Sequence, residues 1–283
     1  MSNSALIVKH LHANIDKFCL KDINIALEKG TITGLVGKNG AGKTSLIKTL
    51  LDIIPRSKGE ILYFDKPLYR NEKEIKSKIG IVFDNMIYAK NQKPFNLMYT
   101  IAPFYENFSI DKFRDLMDKF ELDSSKKISK YSKGMQMKFS IALVLAQNPD
   151  LIIFDEPTSG LDPVARAELL DLLYDIIQDE EKTILFSTHI TSDLDKIADN
   201  IIMMDNGKIV LTQGKDEMLE SNFIVHLDKS DMNEEIKPLF IGLKENNLGF
   251  VGLIDNKAKL ELIPNAKIVK PTVEDIMVYR GDL

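Results

Sequence analysis

The chain has 283 residues, of which 44% are hydrophobic, so it is long enough to bury one large core or two modest ones. A formal net charge of −5 argues against a partner bound through the phosphate backbone of nucleic acid, and no run of about 18 apolar residues is present to span a bilayer. The single cysteine, Cys19, excludes an intrachain disulfide and, without a recognisable signal peptide, favours the cytosol.

The first half of the chain predicts a strand, a glycine-rich loop and a helix in succession. Residues 31–36 are apolar and β-branched, and apolar residues recur at helical spacing from Thr44 onward. Residues 85–148 are mainly helical in pattern. We predict that they form a helical insertion into a sheet domain.

The next elements predict the sheet itself. Residues 151–154 and 184–186 are short apolar runs typical of strands buried on both faces of a parallel sheet, and a long amphipathic helix beginning near Pro163 separates them. An Asn-Gly pair at 206–207 lies between two apolar runs and predicts a hairpin. Strands that alternate with helices indicate an α/β fold with a mostly parallel, helix-flanked sheet.

The character of the sequence changes after about residue 213, and we predict a small C-terminal α+β appendage. Thr272 and Asp275 resemble a capping pair at its last helix. The predicted strands are 223–227, 250–254 and 260–263, and the predicted helices are 235–245 and 271–279.

Residues 37–44 match the phosphate-binding pattern GxxxxGK[ST] in full. Glycines let consecutive backbone N–H groups surround a polyphosphate, and the helix that follows points its positive end at the same anion. Lys43 should reach the β- and γ-phosphates, and the hydroxyl of Thr44 should bind Mg²⁺. The predicted phosphate contacts come from Gly37, Asn39, Gly40, Ala41, Gly42, Lys43, Thr44 and Ser45.

The apolar run 151–154 ends in two acids, Asp155 and Glu156. Such a pair is usually a helix cap or a solvated turn, but here a phosphate-binding loop precedes it. A strand that ends in acids places carboxylates at the carboxyl edge of the sheet, where ligands bind in open α/β folds. Asp155 is therefore predicted to hold Mg²⁺, and Glu156 to orient or deprotonate the attacking water.

Three further patterns carry less weight alone. Ser132 and Gly134 precede an apolar helix and can form a second anion site, although an ordinary helix cap is the usual explanation of such a motif taken alone. His189 follows the run 184–186, where it can contact the γ-phosphate or the attacking water, or be structural. Asp162 opens a helix at Pro163, which a simple turn also explains.

The order and spacing of these five motifs, over about residues 6–214, resemble the ATP-binding cassette (ABC) ATPases. GKNGAGKT resembles the Walker A motif, LIIFDEP the Walker B motif, YSKGM the signature, SGLD the D-loop and STHI the switch-histidine motif. The resemblance implies a P-loop NTPase sheet core with an antiparallel β subdomain and a helical subdomain. It implies ATP and Mg²⁺ as cofactors and catalytic roles for Lys43, Glu156 and His189. It also implies a second cassette, homo- or heteromeric, whose nucleotide Ser132 and Gly134 contact in trans, and it places Asp162 at the nucleotide site.

Three positions depart from the family pattern. Asp84 stands where the family usually has glutamine; it can bind Mg²⁺ but can also repel the γ-phosphate, so we expect it to slow hydrolysis or to increase its dependence on a membrane partner. Met135 replaces the signature glutamine. Family members usually have an aromatic residue that stacks on adenine before the first strand pair; Ile15 stands near that place, with His12 and Phe18 as the candidates.

The signature and the C-terminal appendage resemble bacterial exporter ATPases for bacitracin, lantibiotics or phenol-soluble modulins. We therefore predict a cassette over residues 1–214 and an accessory domain over 215–283. The predicted function is ATP hydrolysis that drives export of a hydrophobic or amphipathic peptide or drug through a separate transmembrane permease, at the cytoplasmic face of a bacterial membrane and without a nucleic-acid partner. Two alternatives stay open: a soluble ABC-type ATPase, and a weakly hydrolysing regulatory cassette.

Overall fold

The computed structural model describes residues 3–85, 88–179, 181–263 and 265–280. Residues 1–2 and 180 of the predicted cassette, 86–87 of the predicted insertion, and 264 and 281–283 of the predicted accessory domain therefore lie outside the described residues.

Within the described residues the chain forms fourteen strands and ten α-helices. The strands are β1 (Ser4–Ile15), β2 (Phe18–Glu28), β3 (Ile32–Val36), β4 (Lys58–Tyr63), β5 (Lys66–Pro67), β6 (Ile79–Phe83), β7 (Leu151–Asp155), β8 (Thr183–Thr188), β9 (Asn200–Asp205), β10 (Lys208–Gly214), β11 (Phe223–Leu227), β12 (Ile241–Asn246), β13 (Gly249–Ile254) and β14 (Lys267–Val269). The helices are α1 (Lys43–Leu50), α2 (Glu72–Ser77), α3 (Pro94–Ile101), α4 (Ile110–Lys119), α5 (Lys133–Ala146), α6 (Pro163–Ile177), α7 (Thr191–Ile197), α8 (Lys215–Ser221), α9 (Lys257–Leu260) and α10 (Val273–Arg280).

The central sheet has six strands in the order β10-β9-β3-β8-β7-β6. Strands β9, β3, β8, β7 and β6 pair in parallel, while β10 returns antiparallel to β9 through the predicted Asn-Gly turn. Every residue of β3, β7 and β8 is buried, as expected for a parallel sheet covered on both faces. The predicted α/β class is confirmed. The loops that follow β3, β6, β7 and β8 therefore meet at one edge of the sheet.

A second sheet, in the order β2-β1-β4-β5, is antiparallel throughout and confirms the predicted antiparallel subdomain. Its apolar face shares one core cluster with α1 and with one face of the central sheet. Leu6 and Leu27 from this sheet, Leu46 from α1, and Ile153 and Leu185 from the central sheet are all fully buried in that cluster. The packing supports α1, and with it the loop at residues 37–42.

Helices α3, α4 and α5 lie between β6 and β7 in the chain, so the predicted helical insertion is helical in the structure. Phe113 of α4 is fully buried and meets Phe95 and Phe139 edge-on, with ring centroids 5.5 and 6.0 Å apart. Edge-to-face packing of this kind adds about 1 kcal/mol per pair to the burial of the rings. It joins α3 and α4 to the middle of α5.

A third sheet, in the order β12-β13-β11-β14, is antiparallel and accounts for most of the C-terminal region. Two predictions here are wrong. The predicted helix at 235–245 is a short 3₁₀ turn followed by β12, because Pro238 interrupts a helix and Gly242 adopts φ +61°. The predicted strand at 260–263 contains only the end of α9, which Asn256 caps by accepting from the N–H of Ala258 at 2.8 Å.

The last helix, α10, packs against α7 of the central domain. Val273 and Ile276 of α10 are fully buried in the same core cluster as Leu194 of α7. The N–H of Val273 also donates to Asp195 at 3.4 Å. The third sheet and the central domain are therefore joined by a continuous apolar core. Among the described residues, no helix combines the length and the apolar character that crossing a bilayer requires.

We expect Thr272→Ala to lower the free energy of unfolding by about 1 kcal/mol, because it removes the cap of α10. The Thr272 hydroxyl accepts from the N–H of Asp275 at 3.1 Å, and Asp275 accepts in return from the N–H of Thr272 at 2.9 Å. Urea unfolding measures the change. Thr272→Ser keeps the hydroxyl and should retain the stability; an equal loss in both variants would assign the effect to something other than the cap.

Candidate active site

The loop at residues 37–42 connects β3 to α1, and its backbone conformation requires glycine at three positions. Gly40 and Gly42 have φ values of +84° and +110°, a region that other residues rarely adopt. At Gly37 a Cβ atom would stand 2.3 Å from the carbonyl oxygen of Met204, so only glycine lets the loop pass this close to β9. The loop thereby leads directly into α1, whose first residue is Lys43.

Lys43 is folded over this loop and is almost completely buried, with 5% of its side chain exposed. Its Nζ donates to the carbonyl oxygen of Gly37 at 2.8 Å. The same atom lies 3.1 Å from Oε1 of Glu156. The ammonium group therefore stands between the loop and the acids at the end of β7, which is where the sequence predicts phosphate to bind.

Asp155, the last residue of β7, is fixed by two hydroxyl groups. Its Oδ1 accepts from Oγ1 of Thr44 at 3.1 Å and from Oγ of Ser187 at 2.8 Å. Burial raises the pKa of Asp155, and the two hydrogen bonds oppose that shift only in part. Ser187 was not among the site residues predicted from the sequence. The feature that could have indicated it is a small hydroxyl residue at the end of an otherwise apolar strand.

Glu156 and His189 form a close pair at the ends of β7 and β8. Nδ1 of His189 lies 2.6 Å from Oε2 of Glu156, and the backbone N–H of His189 donates to the same oxygen at 3.3 Å. Glu156 has a φ of +53°, which is rare for a residue with a side chain, and its N–H is held by both oxygens of Ser187. The two predicted catalytic side chains are thus brought into contact.

Two adjoining cavities border these residues. The larger has a volume of about 730 Å³ and the smaller about 250 Å³. The larger is lined by Asn39, Thr44, Lys48, Ile53, Phe83, Asp84, Asn85, Asp155, Glu156, Ser159 and His189. The smaller is lined by Phe18, Asn39, Gly40, Gly42, Lys43, Thr44, Ser45 and Glu156. Ala41 belongs to the same loop but is buried beneath it.

Ser132, Gly134 and Asp162 do not line either cavity in the part of the chain that the structure describes. Ser132 caps α5 by accepting from the N–H of Met135 at 3.2 Å, and Asp162 caps α6 by accepting from two N–H groups at 3.0 Å. Gly134 lies in a separate groove between α5 and α6. Within one chain, none of the three therefore borders the cavities around Lys43 and Glu156.

Of the residues considered for adenine, Phe18 is the one that reaches the loop. Its Cζ lies 2.6 Å from the point where a Cβ of Gly42 would stand, and its ring lines the smaller cavity. His12 and Ile15 are not among the described residues that line it. An aromatic face is therefore available beside the phosphate loop.

The comparisons with known proteins agree with this geometry. Residues 20–159 match the family model described as ABC transporter. The chain is 28% identical to the ABC transporter ATP-binding protein YtrB of Bacillus subtilis, with 90% of this chain and 87% of that protein covered. It is 31% identical to the bacitracin transport ATP-binding protein BcrA of Bacillus licheniformis, with 77% and 71% covered. This chain is an ABC transporter ATPase. A solved structure of cbiO1 from Clostridium perfringens, described as part of the ABC transporter complex cbiONQ, superposes with a TM-score of 0.65 at 26% identity, covering 75% of this chain and 89% of that one.

Membership of the ABC family establishes ATP binding and ATP hydrolysis as the activity of the chain. The resemblance to bacitracin-exporter ATPases expected from the sequence is also confirmed. The cavities at the carboxyl edge of the sheet lie where the family's phosphate-binding loop meets the acids of β7.

We expect Asp155→Asn to stabilise the protein in the absence of nucleotide. Because burial raises the pKa of Asp155, folding favours its protonated form, so its contribution to stability is complete below about pH 4 and is lost as the pH rises through the raised pKa. Asparagine remains neutral and can still accept from Thr44 and Ser187. Thermal unfolding from pH 4 to pH 8 should therefore show a higher Tm for the variant toward neutral pH. A lower Tm across that range would contradict the prediction.

Proposed function

We propose that the chain drives export of a hydrophobic or amphipathic peptide or drug through a separate transmembrane permease. The observation that supports the ATPase part of this proposal most strongly is that Glu156, which borders both cavities, contacts Lys43 on one side and His189 on the other. Similarity to a bacitracin transport protein supports the export of peptides such as bacitracin, lantibiotics or phenol-soluble modulins. On the same grounds we propose that the chain acts at the cytoplasmic face of a bacterial membrane.

The phosphate loop is proposed to hold the triphosphate of ATP. In the nucleotide-free arrangement, Nζ of Lys43 is shared between Gly37 and Glu156. A γ-phosphate at this point offers a stronger anionic partner, so Lys43 is expected to turn from Glu156 to the β- and γ-phosphates. Backbone N–H groups of Asn39, Gly40, Ala41 and Gly42, and the N-terminus of α1 at Thr44 and Ser45, complete the site.

Thr44 and Asp155 are proposed to hold Mg²⁺. Their oxygens lie 3.1 Å apart beside the larger cavity, and hydroxyl and carboxylate oxygens are the ligands that this ion prefers. The described residues contain no group of three acidic, histidine or cysteine side chains that could form a complete protein cage, which agrees with a site completed by phosphate and water. The ion supplies charge neutralisation of the phosphates. Asp84 lines the same cavity and is a further candidate ligand.

Glu156 is proposed to accept a proton from, or to orient, the water that attacks the γ-phosphate. Once Lys43 turns to the phosphates, Oε1 of Glu156 is freed toward the cavity while Oε2 stays with His189. His189 keeps the carboxylate in position and can contact the γ-phosphate. Positioning and charge stabilisation then account for the rate acceleration.

A second cassette is proposed to complete the site. Ser132 and Gly134 lie at the start of α5, away from both cavities, and a helix N-terminus with exposed N–H groups can bind a phosphate of another subunit. Asp162 would lie at the same interface. The helical insertion and the loop at Asp84 would transmit opening of the pair to the permease, and residues 215–283 would form an accessory domain.

Reconstitution with the permease tests the proposal. The ATPase should co-purify with a polytopic membrane protein, and liposomes that contain both should move a labelled amphipathic peptide only when MgATP is present on the ATPase side. Lys43→Ala, which removes the phosphate contact, is the matched control. Purification of an active ATPase with which no membrane protein is recovered would favour a soluble ATPase, and ATP binding with negligible hydrolysis even with the permease would favour the regulatory alternative.

A further inference from the structure

We propose that Lys133 is a positioning residue for ATP binding that acts inside its own subunit, by neutralising and holding the Asp84 carboxylate at the rim of the phosphate cavity. This inference rests on the proposed function of that cavity. It concerns two residues of different motifs: Asp84, an acid where the family usually has glutamine, and Lys133, which lies inside the signature motif.

The direct observation is an ion pair across two motifs that are 49 residues apart in the chain. Nζ of Lys133 donates to Oδ1 of Asp84 at 2.7 Å, and the amide of Asn85 donates to the other carboxylate oxygen at 3.1 Å. Asp84 directly follows β6, and Lys133 is the first residue of α5. Both oxygens of Asp84 are therefore engaged, and the carboxylate has a fixed orientation.

Asp84 occupies the boundary between two spaces. It lines the larger cavity together with Thr44, Asp155 and Glu156, and it also lines a cleft of about 190 Å³ that Lys133 borders from the side of the insertion. Without a counter-charge, Asp84 would place a third carboxylate beside the proposed triphosphate site. Like charges at such short range oppose the binding of an anion, whereas a paired carboxylate presents little net charge to it.

The course of the lysine stem is a second, independent observation. A Cβ atom at Gly160 would stand 3.1 Å from Nζ of Lys133, and 3.6 and 3.8 Å from its Cδ and Cε atoms. The side chain thus crosses directly over the D-loop at its glycine, where φ is +67°. One side chain therefore runs from the signature across the D-loop to Asp84, and the absence of a side chain at position 160 leaves the space that it fills.

The alternative is that Lys133 acts only in trans, on the nucleotide of the second cassette, as its place in the signature motif would allow. The two roles predict that the effect of substituting Lys133 depends differently on the residue at position 84. A residue that acts through Asp84 loses its importance when that carboxylate is removed, whereas a residue that contacts the partner's phosphate keeps its importance whatever stands at position 84.

The experiment is a double-mutant cycle read by equilibrium binding of a fluorescent ATP analogue and by steady-state ATPase kinetics. The four proteins are the wild type, Lys133→Met, Asp84→Gln and the double variant. We expect Lys133→Met to weaken nucleotide binding and to raise KM by about tenfold with a much smaller change in kcat, because it alters charge at the binding step. On the Asp84→Gln background the same substitution should change binding less than about twofold.

Two controls separate charge from packing. Lys90 lines the same cleft but, among the described residues, forms no ion pair with Asp84. Lys90→Met should therefore leave the affinity for the ATP analogue unchanged. Lys133→Arg keeps the charge and should retain most of the wild-type affinity. Thermal unfolding of each variant confirms that it is folded.

An equal loss of affinity from Lys133→Met on both backgrounds would overturn the inference and assign Lys133 to a role independent of Asp84. That result would leave the proposed function intact. Wild-type protein that fails to bind the analogue at all would instead overturn the proposed function of the cavity, and the inference with it.

Discussion

Replacing Glu156 with glutamine is expected to lower kcat for ATP hydrolysis by about 100-fold or more while leaving ATP binding intact. Glutamine cannot take up a proton from water, although it can still occupy the space beside His189. It also removes the negative charge that holds Lys43 at 3.1 Å in the nucleotide-free arrangement, so Lys43 is freer to contact phosphate. Nucleotide titration and single-turnover hydrolysis separate the two effects.

The Glu156→Gln variant should also accumulate as a closed dimer in the presence of MgATP, because the anion that joins the two cassettes is not removed. Size-exclusion chromatography with light scattering measures this. Glu245→Gln is a suitable control, since Glu245 likewise pairs with a lysine, Lys229 at 2.6 Å, but lies on the surface of the third sheet. Wild-type turnover in Glu156→Gln would remove Glu156 from the role of base.

Replacing Arg166 with methionine is expected to lower the free energy of unfolding by about 3 kcal/mol, because it leaves a buried carboxylate without its counter-charge. Asp193 is fully buried, and its Oδ1 accepts from Nε of Arg166 at 2.6 Å while Oδ2 accepts from Thr158 at 2.8 Å. Arg166 also donates to Ser192 at 2.8 Å. The arginine therefore ties α6 to the start of α7, and Asp193 in turn holds Thr158 of the loop after Glu156.

Urea unfolding measures this loss, and Arg114→Met provides the comparison. Arg114 pairs with Asp111 at 2.8 Å on the surface, where both side chains are more than half exposed, so its removal should cost less than about 1 kcal/mol. Adding Asp193→Asn to Arg166→Met should recover part of the stability, because the unpaired buried charge is then absent. Similar losses in Arg166→Met and Arg114→Met would contradict this account.

The sequence predicts most of the central domain because its signals are local. The phosphate-loop pattern, the acids after an apolar run and the Asn-Gly turn each depend on adjacent residues, and each is found where expected. The C-terminal region is predicted less well, since apolar residues at 235–245 suggest a helix that Pro238 and Gly242 prevent.

Contacts between distant segments could not be predicted in the same way. Ser187 meets Asp155 across 32 residues, Lys133 meets Asp84 across 49, and Arg166 meets Asp193 across 27. Each pairing depends on which strands become neighbours and on where a helix begins, and neither follows from spacing along the chain. The candidate site was therefore predicted as a set of motifs, while the side chains that orient it were found only in the fold.

The place of β6 at the border of the central sheet has a mechanical consequence. In the described part of the chain, β6 is hydrogen-bonded to β7 alone, and the helical insertion leaves from β6 and returns at β7. The phosphate loop, by contrast, rises from β3, which is braced on both sides by β8 and β9. A force on the insertion would therefore displace β6 and with it Asp84. Strand β3 and the phosphate loop that follows it would keep their conformation.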